Sequence, residues 1–277
     1  MNQSMINSAV TMGQLQKKLD TVGNNLANVN TIGFKRRDVS FNDLLFQQVN
    51  NLNRTEFEGG RDTPLGIRRG TGAIAGQTEI RFDQGAIRET GRDLDFAMTE
   101  KGYFFEIAPD DEGNRRFTRE GNFYYTPNPA DDAENFIVNS QGDFVLGADG
   151  EPLVVPVPNN GVTVSQGGNI SVQLEDEELP VEVGQFQTVN ITRPQLLENV
   201  GENNFVFGDL DELGLGFDDV LEETAGDEIM RQSALEMSNV DMGREMTSMI
   251  EAQRAYQFNA SAIGITDQMK GLVTNLR

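Results

Sequence analysis

A chain of 277 residues with neither histidine nor cysteine lacks the side chains that most enzyme classes depend on. Histidine is the commonest general base and transition-metal ligand, and it is missing. Without cysteine there are no disulfides, no thiolate metal sites and no thiol nucleophile. Three acidic groups remain to be weighed. Asp93 and Asp95, in "GRDLDF", place two carboxylates close together, as a glycosidase would need. Nothing around them suggests a sugar cleft. "DDEGN" at 110–114 and "DLDELGLGFDD" at 209–219 are superficially similar to calcium loops. Neither has the ligand spacing or closing glutamate of an EF-hand, so solvated loops are the simpler reading. The sequence therefore offers no catalytic residue, no metal ligand and no cofactor-binding residue, and no cofactor is expected.

The charge points away from other ligands too. The net charge is −22, and it is unevenly spread. Residues 1–72 hold nine Lys/Arg against six Asp/Glu, and residues 231–277 hold five of each. The middle, 73–230, holds eight basic and thirty-three acidic residues. Such a middle keeps a chain soluble and repels nucleic acid, which is excluded as a partner, and no small-molecule substrate is indicated. Balanced ends are different. Segments that pack densely against copies of themselves cannot each carry a large charge of one sign, so this distribution suits a protein that polymerises through its termini. No run of eighteen apolar residues is present to cross a membrane as a helix. The opening "MNQSMINSAVTMGQLQKK" lacks the charged and apolar regions of a cleavable secretory signal.

The elements that would position such contacts can be read from periodicity. Met5, Met12, Leu19 and Leu26 lie seven apart, and Leu15, Val22 and Val29 form a second row, which predicts a helix packing along a narrow seam. Asn28, Asn30 and Thr31 compete for backbone hydrogen bonds and Gly33 tolerates positive φ, so the helix is expected to stop there. From residue 73 to about 230, short β-prone runs such as "NFIVNSQGDFVLGADGEPLVVPV" alternate with turn signals and predict antiparallel hairpins. Residues 38–72 read as an extended linker. A last helix is predicted from about Asp241 to Leu276. It is apolar on more than one side: Met242, Met249, Tyr256 and Ile263 form one row, and Phe258, Ile265 and Leu272 another about half a turn away. The fold class expected is α+β, with the two long terminal helices (within 1–37 and 231–277) paired as a coiled coil around a mainly antiparallel β middle. Such a pair covers one face of the last helix, and the other face requires another molecule.

Two terminal stretches carry a resemblance. "NNLANVNTIGFKRR" matches an N-N-L-A-N-x-x-T-x-G-F-K pattern, and "SNVDMGREMTSMIEAQRAYQ" an S-N-V-D…E-M…M-I-x-A-Q-R-A-Y/F-Q pattern. With "GYFFEI", "RRFTREGNFYY" and "GDFVLGADGEPLVVP" between them, the chain resembles the bacterial flagellar rod and hook family along nearly its whole length. Its length and "PLGIRRGTG" look most like the distal rod members. The sequence departs from their usual pattern at "MTEKGYFFEI" and "NPADDAEN".

The resemblance implies a structural subunit of the basal-body rod, polymerising through its terminal helices into a hollow shaft that transmits torque, with no catalysis. A hook or rod–hook junction protein is the neighbouring alternative, and an extracellular acidic β-domain enzyme a remote one. It further implies copies of the chain, other rod and hook subunits and the flagellar type III export apparatus as partners, and a location in the basal body outside the cytoplasm. Inter-subunit contacts would then fall on the two motifs. On the first are Leu15, Leu19, Val22, Asn24, Asn25 and Leu26, then Asn28, Gly33, Phe34 and Lys35, with Lys35–Arg37 facing acidic neighbours. On the second are Ser238, Asn239, Val240, Met246, Met249 and Ile250, then Gln253, Arg254 and Tyr256.

Overall fold

A computed structural model describes residues 2–43, 47–49, 67–69, 73–110, 112–129, 133–174, 179–201, 203–210, 213–223 and 229–275. The chain divides into two units, and it passes between them four times. One comprises Met1–Leu26, Arg37–Glu79 and Met242–Arg277; the other comprises Ala27–Arg36 and Ile80–Asp241.

The first unit holds both helices, α1 (Asn2–Ala27) and α2 (Met242–Asn275). It also holds two strand pairs in and beside the region read as a linker, one of them antiparallel. Gln47–Val49 pairs with Ile67–Arg69, and Arg37–Asp43 neighbours Ala73–Ile80 in a two-stranded sheet. The rest of residues 38–72 lies outside the described residues.

The α+β class stands, but the coiled coil does not. A coiled coil buries alternate apolar residues of each helix as knobs in holes of the other. On α1 only Val22 of the two heptad rows is fully buried, while Met5, Met12, Leu15, Leu19 and Leu26 are half-buried. Among the described side chains of α2, those buried are one small residue, Ala252, and one acid, Glu245. Among the described residues, a polar contact joins the helices: Asn25 Nδ2 donates to Glu245 Oε2 at 3.3 Å. The heptad period was present in both sequences, yet period alone does not select a partner.

The second unit is built of antiparallel strands. Its largest sheet has six strands in the order Leu197–Gly201, Asn204–Phe207, Arg116–Thr118, Tyr103–Ile107, Thr188–Ile191 and Leu221–Glu223. Side chains alternate across a strand, and "YFFEI" shows why this sheet has a core on each face. Phe105 and Ile107 enter a cluster with Phe96, Phe123 and Phe186, whereas Phe104 enters another with Phe117, Val189 and Phe205. Edge-to-face pairs tighten both, including Phe105 with Phe123 at 5.2 Å and Phe104 with Phe205 at 6.0 Å. Two three-stranded sheets, from Tyr124–Pro127 to Val154–Pro156 and from Asn159–Val164 to Val181–Gln185, add to the first cluster. Short pairs, Phe96–Met98 with Met230–Gln232 and Ile87–Glu89 with Ala234–Glu236, bind the C-terminal segment into the same unit.

Candidate assembly site at the two ends of the chain

The asparagines and glycine that end α1 have separate tasks. Thr31 closes a turn, its N–H donating to the Asn28 carbonyl at 3.2 Å and its hydroxyl to Asn28 Oδ1 at 3.1 Å. Asn25 is buried and works like a short piece of strand. Its Nδ2 donates to the Arg37 carbonyl at 2.8 Å, and its Oδ1 accepts the Arg37 N–H at 3.0 Å. Gly33 has φ +67°, and an added Cβ there would sit 2.9 Å from the Arg119 carbonyl carbon and from the Glu120 nitrogen. Only glycine fits both the conformation and the approach. Its N–H donates to the Glu236 carbonyl at 2.9 Å, which joins the segment after α1 to the segment that leads to α2.

Asn239 extends that join. Its Oδ1 accepts the Arg36 N–H at 2.7 Å, and its Nδ2 donates to the carbonyls of Arg81 and Asp83, both at 2.8 Å. One side-chain amide thus holds two backbone segments, and its own N–H reaches the Phe34 carbonyl at 3.4 Å. Phe34 and Val240 are buried, and Ser238 Oγ accepts the Val240 N–H at 3.3 Å.

Beneath lies a buried charge cluster. Lys35 Nζ sits 2.7 Å from Glu236 Oε1, and both side chains are 1% exposed. Lys35 Nζ also donates to the Asp83 carbonyl at 3.0 Å, and the Gly85 N–H donates to Glu236 Oε1 at 2.7 Å. Arg119 Nε lies 3.2 Å from Glu236 Oε2, near enough for charge pairing, although that oxygen receives no aligned hydrogen bond. The Arg119 guanidinium also donates to the carbonyls of Glu100 and Tyr103 at 2.8 Å. Burial, and then the nearby Arg119 charge, push the Lys35 ammonium down to about 8, partly opposed by Glu236. Burial lowers Arg119 as well.

The motif residues therefore part into two sets. Asn25, Gly33, Phe34, Lys35, Ser238, Asn239 and Val240 make contacts within the chain. Lys35 in particular meets Glu236 of its own chain, where the sequence suggested acidic neighbours. Val22 is buried, and Leu15, Leu19, Leu26, Asn28, Met249 and Tyr256 are half-buried. Asn24, Met246, Ile250, Gln253 and Arg254 are exposed. Further along α2, Phe258 is 76%, Ile265 58% and Leu272 65% exposed. Sequence reasoning missed Glu236 and Arg119. Arg119 stands in the quoted "RRFTREGNFYY", but nothing local marks it as the partner of an acid 117 positions later.

Comparison with known proteins finds three matching regions. Residues 6–35 match the family model described as flagella basal body rod protein, and 231–276 match that for the flagellar basal body rod FlgEFG protein C-terminal region. Residues 97–172 match the flagellar hook protein FlgE/F/G D1 domain. The chain belongs to the flagellar basal-body rod protein family, and it is a structural rod subunit of the flagellar basal body. Among its relatives is the flagellar hook-basal body complex protein FlhP of Bacillus subtilis, 33% identical with all of both chains covered. The flagellar basal-body rod protein FlgG of Borreliella burgdorferi is also 33% identical, over 100% of this chain and 99% of that one. FlgG of Caulobacter vibrioides is 33% identical over 99% of each.

Proposed function

We propose that the chain polymerises with copies of itself in the distal part of the rod, forming a hollow shaft that carries torque without catalysis. The observation that supports this most is the outer side of α2. Phe258, Ile265 and Leu272 recur every seven residues, and all three side chains are more than half exposed. Large apolar side chains in a row on a 34-residue helix mark a surface that is covered in use. The charge selects the cover: the C-terminal segment is balanced, while the middle of the chain is strongly acidic, so like segments can pack on each other where the middles repel. Arg254, one turn before Phe258, lies beside the same surface, where it would meet a carboxylate or helix-end carbonyls of a neighbour, and Gln253 is exposed on another side of the helix. The other rod and hook subunits are its remaining partners, reached from the same surface, and the flagellar export apparatus delivers it.

The experiment is to substitute Phe258→Asp in the motile organism and count hooks on purified basal bodies. Loss of hooks with a subunit that folds normally is the expected result. Normal hook numbers would refute polymerisation through this face.

A further inference from the structure

We propose that Lys35, Glu236 and Arg119 form a proton-linked latch, which holds the segments after α1 and before α2 more tightly when Lys35 is uncharged. The geometry carries the idea. Two cations and one anion share a site in which each side chain is 1% exposed, so the buried charges do not balance, and the further carboxylate acting on Lys35, that of Asp83, is exposed and offsets the excess only weakly. An unbalanced buried charge is costly, and the site can relieve it in only one way. Arginine does not deprotonate in proteins, and protonating Glu236 would leave two bare cations. Losing the Lys35 proton removes the excess. It also sacrifices no hydrogen bond, because a neutral amine keeps two N–H groups and Lys35 has two acceptors, Glu236 Oε1 and the Asp83 carbonyl.

The charges facing Lys35 come from every segment packed on it. Glu236 ends the strand Ala234–Glu236, Arg119 follows the strand Arg116–Thr118, and Asp83 precedes Ile87–Glu89. Burial and Arg119 lower the ammonium from 10.5 to about 8. The unfolded chain then holds that proton more firmly between those values, so folding strengthens as pH rises through the window. Below pH 8 the penalty is fully present.

The test uses the full chain. From pH 7 to pH 9 these values give the wild type about a tenfold larger folding constant, over and above the change seen in Lys35→Met. Urea unfolding of both proteins at each pH reads that difference. Equal pH dependence in the two would overturn the proposal. A second reading needs no variant to fold: the 13Cε resonance of Lys35 in the wild type, followed against pH. An inflection well below 10.5 supports the latch, and one at 10.5 or above refutes it.

Discussion

Replacing Gly33 by alanine is the most direct test of how the end of α1 is fixed. Two effects add. At φ +67° an L-residue pays roughly 1–2 kcal/mol for the left-handed conformation. The new methyl would also lie 2.9 Å from two backbone atoms and 3.0 Å from a third, the Arg119 carbonyl oxygen. Backbone cannot swing aside as a side-chain tip can, so the overlap adds about 1–3 kcal/mol. The expected loss is therefore about 3 kcal/mol, a large share of the roughly 5–15 kcal/mol that holds a domain together. For a chain of this size that lowers Tm by about 6–12 °C. The control is Gly13→Ala, within α1, where an added Cβ meets nothing within 4 Å. There the change raises helix propensity and gains about 1 kcal/mol where the helix is formed. Differential scanning calorimetry of both variants measures the contrast. A Gly33→Ala protein that melts within about 1 °C of wild type would refute the close approach, since about 1 kcal/mol already moves Tm by more.

The other expectations follow the same contacts. Glu236→Gln strips the anion from between Lys35 and Arg119, both almost wholly buried, and should lower stability by about 3–5 kcal/mol in urea unfolding; a loss below about 1 kcal/mol would show that the cluster carries little. Asn25→Ala frees the Arg37 backbone groups and should lose about 2 kcal/mol, while Asn25→Asp should be at least as damaging, because it sets a second carboxylate beside Glu245. Thermal melts of the two would contradict this if the aspartate variant were the more stable. Phe258→Asp, at a side chain 76% exposed, should change the isolated subunit's stability by no more than about 0.5 kcal/mol, so that any loss of hooks is an assembly defect. A large drop in its melting temperature would place Phe258 in the core.

Parts of this architecture can be read in the sequence for local reasons. The helix stop is written in Asn28, Thr31 and Gly33, whose turn and backbone conformation depend on near neighbours. The hairpins of the middle follow from alternation and turn residues; "YFFEI" even shows adjacent aromatics entering opposite cores. The join between the ends is another matter. Lys35 and Glu236 are 201 positions apart, and each sits in a segment whose charges look solvated. A lone acid becomes a buried counter-ion only when tertiary packing brings two cations to it. Asn239 likewise closes three backbone hydrogen bonds inside its own chain, to partners more than 150 positions away.

The helices make the same distinction in a sharper form. A heptad row states that one face of a helix is to be covered, and its spacing is a local property. What covers it depends on which surface is available, and that is not local. Reading both rows as partners of each other asked more of the period than it contains: the structure joins α1 and α2 through Asn25 and Glu245, a polar contact. The row of Phe258, Ile265 and Leu272 differs in that all three side chains are more than half exposed. Burying three such side chains is worth about 1.5–3 kcal/mol each. On the proposed polymerisation through this row, that gain would arise afresh at every added subunit, so even a modest contact per chain would become a strong preference for the assembled state.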